Sequence, residues 1–220
     1  MTDEISALDA LRRLQEGNAR FVSGEGMRDL ALEHTRRREL VSDQAPFAIV
    51  LGCSDSRVPA EMVFDQGLGD LFVIRVAGNI VAPSQVGSIE FAAERFGVRL
   101  VVVLGHSKCG AVLAAIEALE RPPEHGSPNL GFIVNRILPC VEPLAGLADS
   151  HGHETLVQRA VRENIRASAH HLRHGSEVLE RLIAENGLRV IGAEYSLETG
   201  VVDFFDQVPA AGPPAGSRET

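Results

Sequence analysis

The sequence predicts an α/β fold: a mostly parallel central β-sheet with flanking helices, one antiparallel edge strand and an amino-terminal helical arm. Three observations favour this class. Short apolar runs without alternation, such as residues 100–104, are typical of strands buried on both faces of a parallel sheet. Segments with helical spacing of apolar residues separate these runs, as in successive β-α units. The last two strand-like runs, 188–193 and 201–205, are joined by a short polar segment and predict a closing hairpin.

The remaining elements follow from the same two periodicities. Residues 3–22 carry apolar side chains at helical intervals, and we expect Gly17 to interrupt this helix and Gly24 to end it. Residues 33–43 predict a short polar helix whose basic run is most simply a solvated face. Further strands are predicted at 47–52 and 71–76, and helices at 84–96, 111–120, 130–147 (with a break at Pro139) and 154–186 (with a kink at Gly175).

Length and composition set the domain organisation and exclude several classes of partner. A chain of 220 residues with 45% hydrophobic residues is long enough for a single domain with a sizeable core. We expect that domain at residues 1–208, with the helical arm at 1–43 and the α/β core at 44–208, followed by a disordered tail rich in Pro and Gly at 209–220. A formal net charge of −9 argues against nucleic-acid or membrane partners. With no signal-peptide pattern and no apolar run near the roughly 20 residues of a membrane span, the expected location is cytoplasmic.

Metal-binding residue types stand where two predicted strands end. Cys53 follows the first core strand, and His106 and Cys109 lie in the turn after residues 100–104. The carboxyl ends of parallel strands lie at one edge of a sheet, so these side chains can bind the same metal ion. A set of two Cys and one His that leaves a position open is the pattern of a catalytic zinc. The alternative is that each cysteine is a small buried hydrophobe, which is our interpretation of Cys140.

Asp55 and Arg57 stand directly beside Cys53. Alternate residues of an extended segment point to the same side, so the two side chains can form a bidentate pair that fixes the carboxylate. Such an aspartate can accept a hydrogen bond from a metal-bound water, or it can ligate the metal itself. An ordinary surface salt bridge is the alternative interpretation.

Two motifs identify a family. CSDSR at 53–57, followed by GHSKCG at 105–110, resembles the β-class carbonic anhydrases, whose signature is C-x-D-x-R followed by H-x-x-C. FVIRVAGNI at 72–80, GSIEFA at 87–92 and EYSLETGVVDF at 194–204 extend the resemblance over about residues 5–206. The chain is similar in particular to the plant-like, open-site branch.

The resemblance implies reversible hydration of CO2 to bicarbonate and a proton by zinc-bound hydroxide, with one Zn2+ per chain. Cys53, His106 and Cys109 match the zinc ligands of the family. Asp55 and Arg57 match its catalytic dyad.

The resemblance also implies a substrate pocket and a homodimer or dimer of dimers. In relatives, a glutamine that bonds substrate and apolar residues that line a small pocket occupy the positions of Gln44, Phe72, Ala77 and Phe91, and the backbone N–H at Gly110 supports the bound anion. Gln44 and Phe91 come from the partner subunit in those relatives.

A regulatory bicarbonate site of another branch is not expected here. Arg75 and Tyr195 match two of its three positions, but the position of its tryptophan is Val50, and the chain contains no Trp.

Two alternative functions remain open from the sequence. One is a family relative that hydrolyses COS or CS2, since such enzymes share the metal motif. The other is a non-catalytic zinc-binding interaction module. The intact Asp55 and Arg57 speak against this second alternative, because a purely structural metal site has no use for that pair.

Overall fold

The computed structural model describes residues 5–25, 30–121, 127–144, 146 and 152–207. These residues form a five-stranded sheet, whose strands are β1 (Ala48–Gly52), β2 (Leu71–Arg75), β3 (Leu100–His106), β4 (Arg189–Tyr195) and β5 (Val202–Asp206). The spatial order is β2-β1-β3-β4-β5. The first four strands pair in parallel, and β5 runs antiparallel to β4 at one edge. The predicted fold class is confirmed.

Most helices agree with the predicted segments to within a few residues, although the helix predicted at 130–147 ends at Val141 and the segment 154–186 forms two helices. The helices are α1 (Ala7–Ser23), α2 (Leu30–Glu39), α3 (Ala60–Val63), α4 (Pro83–Arg95), α5 (Gly110–Glu120), α6 (Pro128–Val141), α7 (His153–His174) and α8 (Glu177–Glu185). Short 3₁₀ turns occur at Ala77–Asn79 and Glu142–Leu144. The tail at 209–220 lies outside the described residues. None of the helices in the described part of the chain is long and apolar enough to cross a bilayer.

The sheet separates two apolar layers, and this separation directs the first candidate ligand. Ile49 and Leu51 of β1 face the layer that contains α4, α5, α6 and α7, whereas Val50 faces the layer that contains α1. Cys53 continues the alternation of Ile49 and Leu51 and belongs to the same layer as Cys109. The pleat of β1 therefore points Cys53 toward the beginning of α5.

The amino-terminal helix packs on its own domain. Ser6 caps α1 by accepting a hydrogen bond from the Asp9 backbone N–H at 3.1 Å, and Gly24 ends it in a left-handed conformation with φ 74°. Ala10 and Leu14 are fully buried on the inner face of the helix. The helical arm therefore packs on the core of its own chain.

Asn18 connects this helix to the end of α3 and to the closing hairpin. Its side-chain amide donates to the Val63 carbonyl at 3.0 Å and to the Gly200 carbonyl at 2.9 Å. Its oxygen accepts from the Val202 backbone N–H at 2.8 Å. Since Val202 begins β5, one buried amide joins α1 to the closing hairpin.

The predicted interruption of α1 at Gly17 is wrong, because the helix continues through this residue. A Cβ atom at Gly17 would lie 1.9 Å from the Phe64 carbonyl oxygen. The glycine therefore permits close packing of α1 on the backbone that follows α3.

The predicted break at Pro139 is also wrong. Pro139 lies inside α6, two residues before its end at Val141. The hydrogen bond that proline removes falls in the last turn, and the buried Ile137 and Val141 hold that turn on the core. At Gly175, where a kink was predicted, the structure has a complete break: α7 ends at His174, and α8 begins at Glu177 with Ser176 as its cap.

A substitution at Gly17 tests the close approach of α1. We expect Gly17→Ala to lower the free energy of unfolding by about 2 kcal/mol, because the new methyl group overlaps backbone that has to move. Urea denaturation followed by circular dichroism measures the change. Gly131→Ala in α6 is the matched control, since nothing lies within 4 Å of its Cβ position. It should be neutral or stabilise by about 0.5–1 kcal/mol, and equal effects of the two variants would contradict the packing argument.

Candidate metal centre and active site

The two strand ends and one helix start bring the three predicted ligands together. β1 delivers Cys53, β3 ends at His106, and Cys109 is the residue that precedes α5. One ligand atom from each of the three lies within 4.8 Å of the others. All three residues are buried, and His106 is 0% exposed. The prediction placed His106 in a turn, but pairing with Tyr195 extends β3 to include it.

The imidazole of His106 is arranged to bind a cation. Its Nδ1 lies 2.9 Å from the Ser107 carbonyl oxygen, which can only accept, so Nδ1 carries the proton. Nε2 is left with a lone pair, and this buried atom has no hydrogen-bond partner. A buried polar atom without a partner is costly. A metal ion bound by Cys53 and Cys109 would supply the partner that this nitrogen lacks, so the donor set fits zinc.

The side chains of Cys53 and Cys109 are hydrogen-bonded to each other. A hydrogen bond from Cys109 lowers the pKa of Cys53 to about 4, and the pKa of Cys109 is raised in turn because its proton is held against the Cys53 sulfur. Backbone N–H groups of Gly78 and Asp55 also donate to Cys53 Sγ, at 3.3 and 3.4 Å. Cys53 is therefore prepared as a thiolate, the form that ligates metals.

Asp55 and Arg57 form the predicted bidentate pair. Arg57 Nε donates to Oδ1 of Asp55 at 2.9 Å, and Nη2 donates to Oδ2 at 2.7 Å. These hydrogen bonds hold the pKa of Asp55 well below its usual range, so the carboxylate is charged at neutral pH. Oδ2 lies 3.8 Å from the unpartnered Nε2 of His106. The geometry thus places a fixed anionic acceptor beside the ligand atoms.

Arg75 supports the loop that carries Cys53 and Asp55. It pairs in register with Gly52, and its guanidinium donates to the carbonyls of Cys53 at 3.0 Å and Asp55 at 2.5 Å. Tyr195 is buried at the end of β4, and Val50 is buried within β1.

The pocket residues predicted from the sequence fall into two groups. Ala77 and Gly110 lie at the carboxyl edge of the sheet, near the ligands: Ala77 precedes the Gly78 that donates to Cys53, and Gly110 begins α5 after Cys109. The N–H of a first helical residue has no partner within its helix and is available to a ligand.

Gln44, Phe72 and Phe91 form the second group. Phe72 and Phe91 meet each other and Phe96, with ring centroids 5.6–6.3 Å apart, and Gln44 lines a surface groove with Phe96. Gln44 precedes β1 whereas Cys53 follows it, and a strand of this length spans about 16 Å. Within one chain, the structure therefore does not bring this group to the ligands.

Glu198 is a residue near the site that the sequence interpretation missed. It accepts hydrogen bonds from Ser107 Oγ at 3.0 Å and Lys108 Nζ at 2.7 Å, and these bonds lower its pKa. Ser107 and Lys108 lie between the two ligands of the H-x-x-C motif, so Glu198 attaches the β4–β5 connection to the ligand loop. The sequence did offer a signal for Glu198, because this residue lies in EYSLETG, one of the segments that carry the family resemblance.

Comparisons with known proteins agree on one family. A carbonic anhydrase family model matches residues 48–202. Carbonic anhydrase 2 of Mycobacterium tuberculosis is 39% identical over 201 residues, which cover 90% of this chain and 93% of the relative. The carbonic anhydrase of Mycolicibacterium smegmatis is 38% identical and covers 89% and 91%.

Solved structures agree with the sequence relatives. A β-carbonic anhydrase of Aspergillus fumigatus superposes with a TM-score of 0.72 at 28% identity, covering 82% of this chain and 85% of that one. One of two tetrameric β-carbonic anhydrases of Sordaria macrospora gives 0.70 at 27% identity, covering 79% and 89%. With its family motifs and this matching fold, the chain belongs to the β-carbonic anhydrases.

Proposed function

We propose that this enzyme holds one zinc ion per chain and catalyses the reversible hydration of CO2 to bicarbonate and a proton. The observation that carries the proposal is the buried set of Cys53, His106 and Cys109, in which His106 Nε2 has no partner. The charged Asp55 beside this set separates the proposal from a purely structural metal site.

The donor set suits a catalytic zinc. Two thiolates and one neutral imidazole would hold the ion through Cys53, Cys109 and His106, and three protein ligands leave a fourth position for reactants. When bound, zinc lowers the pKa of a coordinated water so that hydroxide is available near neutral pH. The Ser107 carbonyl fixes the His106 tautomer that this binding needs.

Asp55 has the role of orienting the nucleophile. Its charged Oδ2 is an acceptor beside the ligand atoms, and it cannot donate a proton because Arg57 keeps it ionised. An acceptor at this position would accept a hydrogen bond from the nucleophile and leave a lone pair of the nucleophile directed at the substrate carbon. Since both Asp55 oxygens are bonded to Arg57, the carboxylate is held off the metal, which supports the open-site form.

The two groups of pocket residues support a homodimer or a dimer of dimers. Ala77 and Gly110 offer an apolar wall for CO2 and an N–H for the anionic product beside the ligands. Gln44 and Phe91 lie in the other group. Phe91 is 53% exposed, which is high for a large apolar side chain and favours its burial at an interface. We infer that a second copy supplies these two residues, which completes the pocket at the subunit interface.

The free thiols fit a reducing compartment. Cys53, Cys109 and Cys140 form no disulfide. We propose a cytoplasmic location, because disulfides are rare in that compartment.

Replacement of Asp55 separates catalysis from metal binding. We expect Asp55→Asn to keep about one zinc per chain and to lose about 100-fold in kcat/KM, because the amide is a weaker acceptor and can present the wrong hydrogen. Stopped-flow CO2 hydration and zinc analysis on one sample measure both. Asp65→Asn is the matched control, since Asp65 also pairs with an arginine, Arg20, at 2.5 Å, and asparagine tolerates its positive φ. Cys109→Ser should instead lose much of the zinc. Full activity of Asp55→Asn at all pH values tested would contradict the role of Asp55.

A pair of defective variants tests whether the pocket is shared between subunits. Gln44→Ala and Cys109→Ser damage opposite halves of the proposed site, so co-expression in equal amounts should restore up to about one quarter of wild-type activity through mixed dimers. Hydration rates of the purified mixture measure the recovery. Asp55→Asn co-expressed with Cys109→Ser is the control that cannot recover, because both changes lie in the same half. No recovery with Gln44→Ala would contradict a shared pocket.

A further inference from the structure

The turn Ala77–Asn79 contacts the candidate metal centre through one backbone N–H. Gly78 N–H donates to Cys53 Sγ at 3.3 Å. Gly78 and Asn79 both adopt left-handed conformations, with φ 68° and 44°. Such a conformation at a residue other than glycine persists only where the surroundings hold it. The hydrogen bond from Gly78 to Cys53 therefore depends on the contacts that hold this turn in its left-handed conformation.

Two buried polar side chains of α7 bond to the carbonyls of the turn. Asn164 Nδ2 donates to the Gly78 carbonyl at 2.8 Å, and Ser168 Oγ donates to the Asn79 carbonyl at 3.0 Å. The two residues are four apart and so share one face of the helix. They are only 2% and 6% exposed, on a face otherwise occupied by apolar residues. Both hydrogen bonds are therefore shielded from competition with water.

The same helix packs directly on the strand that carries His106. A Cβ atom at Gly105 would lie 2.5 Å from Ile165 Cδ1, so α7 and the end of β3 are in close contact. Ile137 and Ala111 close the other side of the turn, at 2.8 and 2.9 Å from a Cβ position at Gly78. One helix thus fixes both the turn beside Cys53 and the strand end at His106.

We propose that Asn164 and Ser168 are positioning residues of the metal centre. They hold the carbonyls of the turn so that Gly78 N–H stays directed at Cys53 Sγ. A hydrogen bond to a thiolate stabilises its charge and orients it as a ligand. The inference rests on the proposed zinc site and adds two residues outside the signature motifs, neither of which touches the metal or the substrate.

Cobalt substitution tests this role without relying on activity. Co2+ bound by thiolates gives a sulfur-to-metal charge-transfer band in the near ultraviolet. Ser168→Ala and Asn164→Ala should shift this band to lower energy, because a thiolate that loses a hydrogen bond gives up its electrons more readily. Competition with a chelator should show zinc affinity about 10-fold weaker. Ser168→Ala is the milder change and serves if Asn164→Ala fails to fold.

Ser176→Ala is the matched control for loss of a buried hydroxyl. Ser176 is 8% exposed, caps α8 by bonding the Leu179 N–H, and donates to Glu90, so its removal costs stability without touching the turn. Its cobalt band and zinc affinity should equal those of the wild type. If the wild type shows the band and the Ser168 and Asn164 variants match Ser176→Ala, the positioning role is wrong. A wild type without the band would contradict the metal site itself.

Discussion

Adjacent parallel pairing of β1 and β3 is the constraint on which the rest of the site depends. Gly52 of β1 pairs with Leu104 of β3, so Cys53, which follows β1, and His106, which ends β3, lie at the same edge of the sheet. The third ligand, Cys109, comes three residues later, where α5 begins. A shift of the pairing register by one residue in either strand would turn the ligand side chain of that strand to the opposite face of the sheet. The apolar contacts on both faces of these strands therefore fix the ligand geometry as well as the fold.

Around these ligands, arginine side chains and backbone N–H groups stabilise two negatively charged groups, the Asp55 carboxylate and the Cys53 sulfur, at fixed positions. Arg57 keeps Asp55 ionised and oriented, while Arg75 holds the carbonyls of the same loop. The Gly78 N–H donates to the Cys53 sulfur, and such a hydrogen bond favours the thiolate form. Sheet register places Arg75 opposite Gly52, and α7 bonds the turn that carries Gly78. The chemistry of the site therefore rests on elements that carry no reactive residue, above all α7.

Local patterns in the sequence predicted the strands, most helices and the set of ligands, because buried runs, periodicity and motif spacing are short-range signals. The errors arose where distant contacts decide. From the sequence alone, Gly17 and Pro139 both look like helix breakers. In the structure, Gly17 allows α1 to pack closely on the backbone of Phe64, and Pro139 lies in the last turn of α6, where it costs little. Asn164 and Ser168 look like ordinary polar helix residues, since only the tertiary fold places the turn at 77–79 against them. The separation of Gln44 from Cys53 likewise follows from the length of β1.

Hydration of CO2 by the wild-type enzyme, followed by stopped flow with zinc counted in the same sample, tests the central claim most directly. We expect about one zinc per chain and fast hydration that disappears when a chelator removes the metal and returns when zinc is restored. COS and CS2 tested on the same sample should be poorer substrates than CO2. One zinc per chain with no hydration of CO2 would contradict the account, and hydrolysis of COS or CS2 by that sample would assign the site to those substrates instead.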